Sequence, residues 1–169
     1  YVDTSTVNGK TYLPIFLSET ISNVYTRKNP KGYLEKIKAS KISGFNNKSA
    51  MQLLGDEYLN TNIYDNYIDV FQLHFVSPIA NGGLSSYKYY LVDSASFDGK
   101  WCYKLMFKPR HKQTLTFTGN MWVHDTTFAI REIEMHIAND ANMNFVNDLV
   151  INKSFEIING NRWVLTRDY

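Results

Sequence analysis

From Ser85 onward the chain is ruled by an apolar–polar alternation of period two, and tight-turn dipeptides punctuate it. Tyr87, Tyr89 and Leu91 alternate with Lys88, Tyr90 and Val92. Asp98-Gly99 follows, a pair that tolerates the positive φ angles of a two-residue hairpin turn. Trp101, Tyr103, Leu105 and Phe107 then alternate with Cys102, Lys104, Met106 and Lys108, until Pro109 and Arg110 end the segment. Leu115, Phe117, Gly119, Met121 and Val123 oppose Thr114, Thr116, Thr118, Asn120 and Trp122. Ile133, Met135 and Ile137 oppose Glu132, Glu134 and His136. Val146 to Ile158 reads as a further strand, Asn159-Gly160 turns the chain, and Arg162 to Arg167 returns beside it. Side chains on a strand point to opposite faces at each step. The pattern therefore predicts five or six consecutive antiparallel strands, a meander. Strands do not alternate with helices and no repeat is detectable, which argues against a parallel sheet.

The first half is less regular. Tyr1 to Tyr12 contains the turn pair Asn8-Gly9 and reads as a hairpin. Leu13 to Tyr25 places Leu13, Phe16, Leu17, Ile21, Val24 and Tyr25 at helical spacing, with Pro14 in the first turn, and predicts a helix. Glu35 to Ile42 alternates weakly and predicts a strand. Asn46 or Asn47 can cap a helix over Ser49 to Leu59, with Leu53, Leu54 and Tyr58 as its stripe. Asn60 to Gly83 is rich in Asn and Asp and reads as irregular, with a short helix near Tyr64 to Phe71.

A sheet that is apolar on one face must bury that face. The two amphipathic segments in the first half are the available covers. The expected fold is α+β and mainly β: a curved antiparallel sheet or unclosed barrel with two or three helices packed on its concave face. At 169 residues the chain suffices for one domain with a substantial core. It begins without a methionine and stops inside a strand-like segment, so it reads as a fragment of a longer protein. Trp122, Tyr90 and Ile130 form a second, thinner apolar strip on the other face, which predicts a partner or a missing part of the parent protein there.

Aromatic residues make up 15% of the chain, with 12 Tyr and 10 Phe, and set the chemistry the sheet can offer. Tyrosine can line a partly wet cavity because one end of its ring is polar. Trp101, Tyr103, Leu105, Phe107, Leu115, Phe117 and Met121 are the candidate lining of an apolar cavity. The net charge of +2 gives no footprint for nucleic acid or an anionic membrane. No apolar run approaches the roughly 20 residues that cross a bilayer. One cysteine, Cys102, excludes an intrachain disulfide and leaves the redox compartment open.

Motifs for catalysis or cofactors are weak. Gly9-Lys10-Thr11 resembles the end of a phosphate loop, but Thr4 stands where that loop needs glycine. Asp140 to Asn144 resembles the start of a calcium loop, but Phe145 stands at its glycine and Ile151 at its closing glutamate. Glu132, Glu134 and His136 share one strand face and could hold a metal or share acid–base work. Their opposite face is apolar, so a solvated outer face is the expectation. Cys102 lacks a sequence-level base, and His74, His111 and His124 lie near turns and are expected to face water. No cofactor is expected.

The phrases LPIFLSE, KASKISGF, QLLGD, NIYDNYI, FVSPIA, YKYYLVDS, DGKWCYKLMFKPR, LTFTGNMWVHDTTFAIREIEMHI and NFVNDLVINKSFE resemble the middle region of an uncharacterised envelope family of Gram-negative bacteria. In that family a carboxypeptidase-regulatory-like β-domain precedes such a region, and a C-terminal outer-membrane β-barrel follows it. The strand run is also similar in pattern and turn order to the periplasmic lipoprotein-carrier (LolA-like) fold, an unclosed barrel around an apolar cavity. The resemblance implies a non-enzymatic periplasmic domain of an outer-membrane protein. It would bind a lipid-like or acylated ligand, or a polypeptide, and would adjoin the other domains of its parent. A structural linker with a filled core is the rival reading, and an enzyme using Glu132, Glu134 and His136 is the other.

Overall fold

The computed structural model describes residues 5–7, 10–12, 16–27, 29–30, 32–44, 61–70, 73–141, 149–158 and 162–168. The chain divides into two compact units, Tyr1–Leu54 and Gly55–Tyr169.

In the first unit β1 (Ser5–Val7) pairs with β2 (Lys10–Tyr12), Val7 opposite Lys10, as the turn pair between them predicts. β3 (Phe16–Arg27) and β4 (Gly32–Gly44) form a long antiparallel ribbon. The strand expected over Glu35 to Ile42 is present and longer. The helix expected over Leu13 to Tyr25 is not formed: its described part is β3. Thr20, Ile21, Val24 and Thr26 are β-branched and stiff against a helical turn, and Ser18, Ser22 and Asn23 compete for backbone bonds. Cross-strand polar pairs then reinforce the ribbon, with Thr20 Oγ1 3.2 Å from Ser40 Oγ and Ser22 donating to Glu35 at 2.5 Å. The helix expected over Ser49 to Leu59 lies outside the described residues.

The second unit is built on six strands whose spatial order is their chain order: β7 (Tyr87–Phe97), β8 (Lys100–Pro109), β9 (Phe117–His124), β10 (Ile130–Ile137), β11 (Val150–Ile158) and β12 (Arg162–Asp168). This is the predicted meander. The β7–β8 turn has Asp98 at φ 51° and Gly99 at φ 75°, the conformation its dipeptide favours. β7 and β12 are the sheet's edges and do not pair with each other among the described residues, so the sheet is not a closed barrel.

The inner face of the sheet carries Tyr87, Phe107, Phe117, Met121, Ile133, Met135, Ile151 and Phe155, all buried. Its cover is not helical. The chain at 61–70 and 73–86 lies across it, with β5 (Tyr67–Val70) paired to β6 (Leu73–Val76) and a single helical turn, α1 (Gly83–Ser86). Ile63, Ile68, Val70 and Phe75 enter the core from this side. The Phe75 ring lies 5.0 Å from that of Phe117, and Tyr64 meets Phe155 edge-on at 5.9 Å. In place of the short helix expected near Tyr64 to Phe71, the described residues form a turn at 63–66 and then β5. Ile68, Val70 and Phe75 bury at alternate positions, a period that four-residue strands are too short to announce in sequence.

Tyr87 pins the hairpin to the sheet. Its hydroxyl donates to the Val76 carbonyl at 2.5 Å and accepts from the Phe117 N–H at 3.0 Å. The Val76 N–H in turn reaches the Leu115 carbonyl at 2.9 Å. These bonds satisfy backbone groups that the outer side of β6 would otherwise bury unpaired.

Candidate functional site

Strand β8 carries its inner-face side chains from the core out into solvent. Phe107 is fully buried, Leu105 is half-buried, Tyr103 is 41% exposed and Trp101 is 45% exposed. The neighbouring strands extend the same surface. Leu91, 65% exposed, stands opposite Leu105 on β7, and half-buried Val123 stands opposite Tyr103 on β9. Ser94 and Ser96 stand opposite Tyr103 and Trp101 and give the shelf a polar rim along β7. The register of β7 shifts between Leu91 and Asp93, and Val92, half-exposed, occupies the bulge.

The cavity-lining residues expected from sequence therefore occupy two environments. Phe107, Phe117 and Met121 belong to the packed core, and Leu105 and Leu115 pack against it. Tyr103 and Trp101 stand on the open shelf. Leu91 joins them there. Its place in the alternation was legible, but its exposure depends on where the covering hairpin stops.

An open groove of about 360 Å³ lies along β7, lined by Leu84, Tyr87, Lys88, Tyr89, Tyr90 and Arg110. Arg110 crosses its end, donating to the Leu84 and Tyr87 carbonyls at 3.1 and 3.4 Å. The Tyr89 hydroxyl donates to the Pro78 carbonyl at 2.7 Å. Burial pushes the Tyr87 and Tyr89 hydroxyls above the ordinary tyrosine range; the Phe117 N–H opposes that shift at Tyr87. Both rings act at neutral pH as neutral hydrogen-bonding groups.

The outer face is organised by cation–aromatic contacts. Lys104 lies over Trp122, Lys108 over Tyr90 and Arg131 over Phe97, with ring-centroid distances of 5.6, 5.1 and 4.4 Å. Phe97 meets Trp122 edge-on at 4.9 Å. The second apolar strip expected from Trp122, Tyr90 and Ile130 is thus divided. Ile130 is buried in the core, Trp122 is covered by the chain's own Phe97 and Lys104, and only Tyr90 is exposed.

Glu132 and Glu134 are exposed and His136 half-buried, opposite the buried Ile133, Met135 and Ile137, as the alternation predicts. The His136 Nε2 lies 3.0 Å from Glu134 Oε1. No group of three His, Cys, Asp or Glu side chains able to hold a metal occurs among the described residues. Cys102 is fully buried, and burial raises its thiol pKa, with Arg131 opposing the shift. A thiol so placed is a poor nucleophile.

His74 and His111 are exposed, as expected, but His124 is not; it is 8% exposed. It ends β9, and the turn that follows folds back on it. Its Nδ1 lies 2.8 Å from the Thr127 hydroxyl and accepts the Thr127 N–H at 3.2 Å, while its ring packs 5.4 Å from that of Trp163. Asp140 and Ala141 lie in a turn; the rest of the calcium-like stretch, at 142–145, falls outside the described residues.

No helix among the described residues is long and apolar enough to cross a membrane. Searches of curated proteins and of solved structures find no match. Residues 3–168 match a family of unknown function (DUF5686), and the chain belongs to that family.

Proposed function

We propose that this chain is a non-catalytic docking domain, periplasmic and part of an outer-membrane protein, that holds a polypeptide on the open aromatic shelf of its sheet. The observation that carries the reading is the exposure of Trp101, Tyr103 and Leu91 on the same face that buries Phe107 and Met121. The cellular location rests on the resemblance of the chain's phrases to an envelope family. An open shelf suits an extended segment better than a free acyl chain, which needs enclosure to leave water.

Magnitudes bound the contact. Aromatic side chains bring about 150–250 Å² each, so with Leu91 the shelf exposes roughly 300 Å². Covering that area and a comparable area of a partner is worth on the order of 15 kcal/mol at ~25 cal/mol per Å². Association costs of about 4–15 kcal/mol offset most of it. The shelf by itself supports only weak docking, and affinity must come from additional polar bonds beside it.

A hydrophobic dye and native mass spectrometry test the reading together. The full chain should bind anilinonaphthalene sulfonate, and the Trp101→Ser/Tyr103→Ser variant should lose that binding with Tm within about 3 °C of the parent. A variant that melts far lower would make these residues part of the core and refute the shelf. An acyl-chain mass retained after mild purification would replace the polypeptide by a lipid.

A further inference from the structure

We propose that the free edge of β7 from Lys88 to Leu91, beyond Tyr87 whose N–H and C=O are taken by the Gly83 carbonyl and Arg110, is a strand-addition site for an extended polypeptide that alternates apolar and acidic residues. The inference deepens the docking reading above and rests on it. Arg110 N–H bonds the Ser86 carbonyl at 2.8 Å, and the register continues through Lys88 opposite Lys108 and Tyr90 opposite Met106. In an antiparallel ladder, alternate residues turn their N–H and C=O groups toward the partner. Ser86, Lys88 and Tyr90 therefore face β8, and Tyr89 and Leu91 direct theirs outward. β7 has no partner on that side among the described residues, and the groove of about 360 Å³ runs along this stretch.

The side chains specify what fits. An added strand would continue the inner face next to Tyr89 and Leu91, where apolar residues bury, and the outer face next to Lys88 and Tyr90. Lys88 stands directly opposite Lys108, a like-charge pairing that weakens a sheet unless an anion joins it. Arg110 adds a third cation, and no carboxylate lies within ion-pair distance of any of the three among the described residues. An acidic side chain opposite Lys88 supplies the missing charge. The bulge at Val92 ends regular pairing and confines the site to about one turn-to-bulge stretch of edge.

The test uses the full chain and two nine-residue peptides, one alternating valine with glutamate and one alternating valine with lysine. The glutamate peptide should bind at least tenfold tighter, slow amide exchange at Tyr89 and Leu91, and lose its advantage at high salt. Lys88→Glu should reverse the preference. Glutamate-peptide binding that Trp101→Ser weakens, while the Tyr89 and Leu91 amides exchange unchanged, would overturn the edge assignment and leave the shelf standing. Equal binding of both peptides, no binding of either, or protection at Tyr89 and Leu91 only through self-association at high concentration would overturn it as well. So would capture by anionic phosphatidylglycerol vesicles that Lys88→Glu abolishes without the peptide binding.

Discussion

Removing one oxygen atom from Tyr87 tests how the hairpin is held to the sheet. In Tyr87→Phe the ring still fills its fully buried place against Phe107, 5.9 Å away, so packing is conserved. What disappears is the acceptor for the Phe117 N–H and the donor to the Val76 carbonyl. The Phe117 N–H is buried and the Val76 carbonyl part-buried, and an orphaned buried backbone group costs about 1–3 kcal/mol. With the Val76 carbonyl regaining part of its solvation, the sum is about 3 kcal/mol, or roughly 10 °C in Tm for a unit of this size. Urea unfolding followed by tryptophan fluorescence should show the midpoint falling at unchanged m-value. The pH dependence gives an independent check. Burial raises the folded pKa of Tyr87 above its unfolded value, so its contribution is complete below about pH 10 and is lost as pH rises toward the folded pKa. The parent should lose stability steeply above pH 10, and Tyr87→Phe should lose it less steeply. A loss under about 1 kcal/mol at pH 7 with an unchanged alkaline slope would refute the pin.

Three further perturbations probe the sheet. A Cβ on Gly119 would sit inside the Glu134 carbonyl oxygen on the adjoining strand, so Gly119→Ala should cost roughly 3 kcal/mol in urea unfolding. Lys153 is buried and bonds Asp168 at 2.5 Å across β11 and β12, so the two halves of the pair are unequal. Asp168→Asn strands a buried ammonium and should cost about 3 kcal/mol, whereas Lys153→Met should be near neutral; equal losses would mean the charge is solvated. Cys102, buried and with its thiol pKa raised, should react with a disulfide reagent at pH 8 far more slowly than the urea-unfolded chain, and equal rates would contradict its burial.

The sheet was legible because its signal is redundant. From Tyr87 to Ile137 the strands carry an alternation that survives the register shifts at Val92 and after Ile130, and Asp98-Gly99 supplies a turn with one reading. The cover was not legible. Tyr67 to Val76 offers four residues per strand, too few to separate period two from period 3.6. A helix is expected over Leu13 to Tyr25 because Phe16, Leu17, Ile21, Val24 and Tyr25 also fit a helical stripe, and only the pairing of β3 with Gly32–Gly44 decides between the two readings. Trp101 and Tyr103 were recognised as one face with Phe107, but their different exposures follow from the length of a neighbouring element. His124, expected to face water, is buried for a similar reason: the turn that covers it is closed by the Phe128 N–H bonding the His124 carbonyl, a contact without a motif.

Cover and shelf follow from one mismatch of lengths. A strand rises about 3.3 Å per residue, so the four-residue strands of the β5–β6 hairpin span ~13 Å while the ten residues of β8 span ~33 Å. No placement of so short a hairpin can roof the whole inner face. The hydrogen bonds of Tyr87 and Tyr89 to Val76 and Pro78 fix it at the Phe107 end of the sheet. The Trp101 end then lies beyond the reach of this hairpin. A chain selected only for a sealed core would place serine or threonine at positions 101 and 103, as it does at 94 and 96 on the strand beside them. Tryptophan and tyrosine there place exposed aromatic surface on a part of the sheet that the described residues do not roof, beside a strand edge where Lys88, Lys108 and Arg110 have no carboxylate within ion-pair distance among the described residues.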